Sequence, residues 1–326
     1  MSLPWHRDIL SQVVTLHEKN ALPHAIMLSG GRGLGANTLA RELALLVLCE
    51  RPVNLSACGQ CKACHLMEAG SHNDFIQLSP EEEGKQIKVE SVRNVVGFIT
   101  ESSMRGGHKV AIIDPVEGLN ISGSNALLKT LEEPAGDTVI FLVTDRQDAV
   151  LPTIRSRCQI LTVKPPAESE ALEWLMSVEP SLTKDRASAY LKLTHNSPLT
   201  AQRYAEQQAW EQQLQILQEL PKVLKKQISV SQFSEKLIGD GLADRLEWLL
   251  QWVEQMIRFK SLGDDAVFSH KESVAMLRYL ADKNTIEDLF QLREKHLEQI
   301  RLLRGTTNSN PALLFEFLVI AWLGCM

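Results

Sequence analysis

The stretch Ala25-Ile-Met-Leu-Ser-Gly-Gly-Arg-Gly-Leu-Gly-Ala-Asn-Thr-Leu39 decides the fold of this chain. It begins as a short apolar run, typical of a buried strand, and after Thr38 the leucines follow helical spacing. The glycines between these segments form the frame of a phosphate-binding loop, in which backbone N–H groups surround an anion at a helix N-terminus. A rival interpretation is that they make only a tight turn.

The loop lacks the two side chains that a working phosphate site needs. Placing Gly30 and Gly35 on the pattern G-x-x-x-x-G-K-[ST], with Gly33 between them, puts Ala36 at the lysine position and Asn37 at the Mg²⁺-binding hydroxyl position. A hydrogen bond to a charged group is worth about 1.5–3 kcal/mol net. Loss of the lysine alone therefore predicts nucleotide binding weakened by about tenfold or more.

Composition indicates a globular protein of two or three domains. The 326 residues are 44% hydrophobic and 23% charged, and the sequence has no apolar run near the ~20 residues of a membrane span. We expect a cytoplasmic protein without membrane association, because residues 1–8 lack the apolar core of a secretory signal. The net charge of −6 argues against coating nucleic acid by bulk electrostatics, although it allows a local basic patch.

Four of the six cysteines lie close together in the sequence, at Cys49, Cys58, Cys61 and Cys64. This spacing favours tetrahedral Zn²⁺ with a structural role. The rivals are an iron–sulfur cluster, a redox pair or unmetallated thiols. The residues after Cys64 offer neither the cysteine nor the proline that continues a ferredoxin run. His65 could replace one ligand, but a bystander role is the simpler interpretation.

Strands alternate with helices from residue 25 to residue 163, which predicts a parallel, three-layer α/β domain. Strands are predicted at 25–29, 74–79, 110–114, 139–144 and 159–163, and helices at 8–19, 38–49, 89–99 and 120–133. Asp114 closes a buried strand, where it could support Mg²⁺ or cap the following segment. The next residue is Pro115, which has no ionisable group.

The sequence becomes helical after a hinge at Lys164-Pro-Pro166. Three short helices near 168–177, 183–193 and 198–205 predict a small lid domain. Helical patterns then continue to the end of the chain, at 210–220, 231–238, 242–261, 271–281, 285–304 and 311–323. Five residues there have the spacing of a helix-packing core: Trp248, Trp252, Leu289, Leu292 and Phe315.

Asn125-Ala-Leu-Leu-Lys-Thr-Leu-Glu-Glu-Pro134, the triplet Ser156-Arg-Cys158, the four-cysteine module and the altered loop together resemble the bacterial clamp-loader branch of the AAA+ ATPases. The resemblance covers nearly the whole chain, although its specific motifs all lie before residue 160. It implies three domains: an AAA+ nucleotide-binding-like domain at 1–165 with the cysteine module at 49–64, a helical lid domain at 166–206, and a helical collar or oligomerisation domain at 207–326.

The resemblance also implies that this chain does not hydrolyse ATP. The members that do so carry lysine and threonine in the loop, an Asp-Glu pair after a central strand and an arginine in the lid. Here Ala36, Asn37 and Pro115 replace the first three of these groups, and Leu199 falls at the lid position. Arg203 lies about one turn further on and could compensate only in a different register. We therefore expect no productive ATP binding.

One catalytic group of the family is retained. The resemblance makes Arg157 an arginine finger that acts in trans on ATP bound by a neighbouring gamma/tau subunit, with Arg155 as the adjacent candidate. Without the family context, a surface arginine in an ion pair is the simpler interpretation. The implied partners are the gamma/tau and delta subunits of the DNA polymerase III clamp loader, the sliding clamp that it loads, and primed template DNA.

Two competing hypotheses remain open from the sequence. The first is an active AAA+ ATPase of the gamma/tau type with an unorthodox site. The second is a zinc- or cluster-dependent nucleic-acid or redox module, in which the α/β domain is only a scaffold.

Overall fold

In the computed structural model the chain is described over residues 2–82, 85–239, 241–263, 271–304 and 310–325. Its contacts form two compact units. The first unit holds Met1–Lys184 and Thr194–Ala201, and the second holds Asp185–Leu193 and Gln202–Met326. The division into three domains stays a prediction.

The first unit alternates strands and helices as the sequence predicts. Its elements are α1 (Arg7–Glu18), β1 (Ala25–Gly30), α2 (Ala36–Leu48), α3 (Lys62–Glu68), β2 (Phe75–Leu78), α4 (Val89–Thr100), β3 (Lys109–Ile113), α5 (Ile121–Glu132), β4 (Thr138–Thr144), α6 (Pro152–Arg155), β5 (Gln159–Val163) and α7 (Glu168–Val178). All five predicted strands are confirmed. The short helices α3 and α6 were not predicted.

The five strands form one sheet in the order β2-β3-β4-β1-β5, and every neighbouring pair is parallel. Strands β1, β3 and β4 are buried along their whole length, which explains their continuous apolar runs. Helices α1 and α2 cover one face, and α4 and α5 cover the other. The predicted three-layer α/β fold is therefore confirmed. Because the strands are parallel, the segments that follow β1, β3 and β4 lie at the same edge of the sheet.

The remaining helices are α8 (Lys184–Leu193), α9 (Pro198–Glu206), α10 (Ala209–Leu224), α11 (Val230–Leu237), α12 (Leu242–Leu262), α13 (Lys271–Lys283), α14 (Ile286–Arg304) and α15 (Pro311–Leu323). The described part of the second unit is all-helical, as predicted. The five residues predicted as its packing core are all buried. Within the described ranges, no helix combines the length and the apolar character that a membrane crossing requires.

Candidate functional site: the glycine loop, the cysteine cluster and Arg157

The glycine loop between β1 and α2 has the backbone of a strand-to-helix turn. Gly33 and Gly35 both have a φ of +78°, in the left-handed region that favours glycine. Ala36, which replaces the lysine, is 8% exposed and belongs to the apolar cluster that contains Leu39. The position from which a lysine would reach phosphate therefore lies in the hydrophobic core.

The start of α9 packs directly on this loop. The Leu199 N–H donates to the Gly33 carbonyl at 3.1 Å. A Cβ on Gly33 would lie 2.1 Å from the Thr200 Oγ1 and 2.7 Å from the Thr200 backbone nitrogen. Position 33 therefore requires glycine both for its φ and for this close approach.

The N-terminal segment fixes the same loop from another element. Trp5 Nε1 donates to the Leu34 carbonyl at 2.9 Å, and His6 Nε2 contacts the same oxygen at 2.8 Å. Because a carbonyl can only accept, His6 carries its proton on Nε2. A Cβ on Gly35 would lie 2.6 Å from a methyl group of Leu3. The chain's own side chains thus surround the loop.

The other predicted positions near the loop make local contacts. The Asn37 side-chain oxygen accepts the N–H of Thr38 at 2.7 Å. Leu199 lies beside Gly35, since its methyl group would be 3.1 Å from a Cβ there. Arg203 donates to both carboxylate oxygens of Asp244, at 2.6 and 2.8 Å. The guanidinium that could have compensated for Leu199 is therefore paired.

Two largely buried carboxyl groups, those of Asp114 and Glu117, lie at the sheet edge where β3 and β4 end. Burial raises the pKa of Asp114, and the Arg41 guanidinium opposes that rise. Burial, and then the neighbouring Asp145 carboxylate, raises the pKa of Glu117 to about 7. The Glu117 side chain is 4% exposed, and its nearest cation is Arg146 Nε at 3.9 Å.

Glu117 lies beyond the end of β3, where the sequence pattern gives it no evident role. A 3₁₀ turn at Val116–Gly118 brings it back toward the end of β4, where it interacts with Thr144 and Asp145. The signal that could have found it is a carboxylate three residues after Asp114, the spacing of one such turn. These carboxyl groups lie at the sheet edge without the lysine that would offset their charge.

The four cysteines come together as predicted. Their sulfur atoms all lie within 4.8 Å of one another, and the shorter separations run from 3.4 to 4.0 Å. The Cys58 N–H donates to the Cys49 sulfur, and the Cys64 N–H donates to the Cys61 sulfur, which caps α3. The cluster can hold one metal ion.

The pKa of Cys61 fits metal binding by this cluster, and the position of His65 shows that it is not one of the four ligands. Burial acts to raise the pKa of Cys61, but backbone N–H groups of Cys64 and Glu50 outweigh it and hold that pKa at about 6. A thiolate, the form that binds metal, is thus favoured at this position. His65 is 64% exposed beside Glu68 and lies outside the group of four, which fits the bystander interpretation.

Arg157 lies just after α6, and its side chain is 35% exposed. The next residue, Cys158, is half-buried and donates its thiol to the Ile154 carbonyl at 3.2 Å, which anchors the segment to the α/β core. The adjacent Arg155 donates to the Gln147 carbonyl at 3.2 Å, a contact within the fold. Both arginines therefore contact their own chain, and the Arg157 side chain remains partly accessible.

Comparison with known proteins gives the family. Residues 5–167 match the family described as DNA polymerase III, delta subunit, and residues 207–323 match its C-terminal part. Over 319 residues the chain is 36% identical to DNA polymerase III subunit delta' of Pseudomonas aeruginosa, covering 98% of this chain and 96% of that one. The chain belongs to the delta-prime family of DNA polymerase III subunits.

Two other similarities are lower in sequence identity. The chain is 34% identical over 177 residues to DNA polymerase III subunit gamma of Buchnera aphidicola, covering 52% of this chain and 48% of that one. A solved structure of a gamma subunit-related protein from Thermotoga maritima is 20% identical, with a TM-score of 0.43, over 95% of this chain and 97% of that one. This delta-prime family member therefore shares sequence with the gamma subunit over about half of its length.

Replacing Cys61 with serine should remove the metal ion. The change deletes a ligand whose pKa favours the thiolate, so metal content should fall from about one equivalent to well below half. Elemental analysis of the purified protein measures this content, and Cys325→Ser, at a buried thiol of the second unit, is the matched control. Equal metal content in the two variants would contradict a four-cysteine site.

Restoring the two missing loop residues should not restore nucleotide binding. In the double variant Ala36→Lys, Asn37→Thr, the lysine enters a packed core at an expected cost of about 1–3 kcal/mol, while Thr200 still packs on Gly33. Calorimetric titration with Mg-ATP should detect no binding below about 1 mM, and a cooperative melting transition of the double variant, compared with that of Asn37→Thr alone, checks that it is folded. Micromolar affinity in the double variant would show that the loop is open.

Proposed function

We propose that this chain is a subunit of the DNA polymerase III clamp loader that does not hydrolyse ATP and supplies Arg157 to ATP bound by a neighbouring subunit. The observation that carries the proposal is a contrast within one α/β unit. Gly33 and Gly35 of the glycine loop pack against the chain's own residues and the lysine position is a buried alanine, whereas Arg157 remains partly exposed after β4 and α6.

We infer the absence of hydrolysis from the missing lysine of the glycine loop and from the packing of other residues against that loop. Catalysis of phosphoryl transfer is almost entirely positioning and charge stabilisation. The lysine position is a buried alanine, and Thr200 packs against Gly33 of the loop. The acidic groups Asp114 and Glu117 remain without an opposing lysine. This arrangement also opposes the alternative of an active ATPase with an unorthodox site.

The role of Arg157 in trans follows from its chemistry and its position. A guanidinium is always charged and can donate two parallel hydrogen bonds to phosphate oxygens. A finger of this kind contributes about 10³–10⁵ in rate in other nucleotide hydrolases. Because this chain's own loop lacks the lysine and the Mg²⁺-binding hydroxyl, the phosphate that Arg157 serves would belong to another subunit.

The partners follow from the family and from the resemblance to the clamp-loader branch. We propose that the neighbour is a gamma/tau ATPase subunit and that a delta subunit completes the ring. ATP binding in the neighbours would then let the complex open the sliding clamp and place it on primed template DNA. In this assembly the present chain is a rigid element that completes an active site without housing one.

We propose Zn²⁺ as the ion of the cysteine cluster. A tetrahedron with Zn–S bonds of about 2.3 Å has edges of about 3.8 Å, and the sulfur atoms here lie 3.4–4.0 Å apart in the four closest pairs. An iron–sulfur cluster would hold its four cysteines further apart, because they are divided among two or four irons. All four ligands come from the protein, so the ion has a structural role.

We also propose that the C-terminal helical region at 207–326 is the collar through which the chain assembles. Helix α15 is apolar apart from Glu316, and one of its faces exposes large apolar side chains. Leu313, Phe317 and Ile320 lie on that face and are 62%, 46% and 56% exposed. An exposed apolar stripe of this kind marks an interaction surface.

Replacing Arg157 with alanine should abolish most of the DNA-stimulated ATP turnover of the reconstituted complex. The expected loss is about 10³-fold at the neighbouring site, because one finger is removed, and Arg157→Lys should rescue little since an ammonium cannot fork. Turnover measured with gamma/tau, delta, clamp and primed DNA is the readout. Unchanged turnover with normal assembly would contradict the role in trans.

Replacing Phe317 with glutamate should weaken assembly without unfolding the chain. The side chain is 46% exposed, so the free protein should lose less than about 0.5 kcal/mol, whereas a charge in an apolar interface is costly. Size-exclusion chromatography with the partner subunits measures assembly. Phe290→Glu, also at a 46% exposed phenylalanine, is the matched control. Equal behaviour of the two variants would argue against a specific role of α15.

A further inference from the structure

The Arg157 guanidinium is held by three acceptors of its own chain. Its Nη1 donates to the Thr153 carbonyl at 2.9 Å and to the Ser156 hydroxyl at 3.2 Å. Its Nη2 pairs with Glu132 Oε1 at 2.5 Å. Two of these acceptors lie in or beside α6, while Glu132 comes from the end of α5. The guanidinium is therefore fixed from two separate elements.

These contacts leave part of the guanidinium unused. The group has five N–H donors, two on each Nη and one on Nε. Both donors of Nη1 and one of Nη2 are engaged by the contacts above. The second Nη2 hydrogen and the Nε hydrogen donate to no described residue. Because these nitrogens share one carbon, both groups can reach oxygens of a single phosphate.

We propose that Glu132 is a positioning residue for Arg157, which it holds in the orientation that presents the remaining N–H groups to the neighbour's phosphate. This inference rests on the proposed action of Arg157 in trans. Glu132 itself touches neither ATP nor the reacting atoms. It acts by restricting a long side chain that would otherwise sample many rotamers.

We expect the contribution of Glu132 to appear in the rate of ATP turnover and not in the stability of the chain. The side chains of Arg157 and Glu132 are 35% and 50% exposed, and exposed ion pairs contribute little to folding. An arginine side chain, however, loses substantial rotamer entropy when it is ordered. If Glu132 orders the Arg157 side chain before the reaction, the loss of rotamer entropy does not add to the activation barrier.

The test compares five variants in the reconstituted clamp loader with primed DNA. Glu132→Ala should lower kcat for ATP about 5- to 30-fold with KM unchanged, the range expected from side-chain ordering. Glu132→Gln keeps an acceptor oxygen and should retain most of the activity. Glu132→Ala combined with Arg157→Ala should be no slower than Arg157→Ala alone, because the two residues act as one unit. Glu133→Ala, at the neighbouring exposed carboxylate, should resemble the unmodified chain.

The outcomes separate this inference from the proposed function. If Arg157→Ala reduces turnover while Glu132→Ala behaves like Glu133→Ala, the role in trans stands and the positioning role is wrong. An increase in kcat for Glu132→Ala would also overturn it, because Glu132 would then restrain the finger. If Arg157→Ala leaves turnover unchanged, the role in trans fails and this inference fails with it. Equal melting temperatures of the variants exclude unfolding as the cause.

Discussion

The close approach of Thr200 to Gly33 is the constraint on which the first unit depends. A backbone amide lies where any side chain at position 33 would have to fit, and the Gly33 carbonyl accepts the N–H of Leu199. In a working phosphate loop, glycines leave room for an anion. Here they leave room for another part of the polypeptide. The glycine at position 33 thus serves packing within the chain.

Loss of the loop lysine changes the meaning of the charges at the sheet edge. Asp114 and Glu117 lie where an ATPase of this fold would hold Mg²⁺, and the described cations that act on them are Arg41 and Arg146. Burial raises the pKa of both groups, and that of Glu117 reaches about 7. Protonation of Glu117 near neutral pH lowers the charge that the fold must bury. The guanidinium that we propose for contact with phosphate, Arg157, follows α6 and does not lie beside these two carboxyl groups.

The sequence predicts the parts of this structure that depend on local pattern. Strand runs, helix spacing and the Cys-x₂-Cys repeats each lie within a few neighbouring residues, and the sheet and the cysteine cluster are confirmed. Contacts between distant segments have no such signal. The approach of Thr200 to Gly33 and the pair Arg157–Glu132 depend on how elements pack. Helices α3 and α6 were missed because seven and four residues are too few to show periodicity.

Helix α2 joins the two features that distinguish the first unit. It begins at Ala36, directly after the glycine loop, and ends at Leu48, one residue before the first cysteine of the cluster. Thirteen helical residues span about 20 Å, and the buried leucines of α2 pack against the sheet. The packed loop holds one end of this helix. At the other end the excursion from Cys49 to Cys64 has few apolar residues, so a bound ion would supply the order that a core supplies elsewhere. Both features thus restrain the same helix, which suits a subunit whose contribution is a fixed surface and not a moving one.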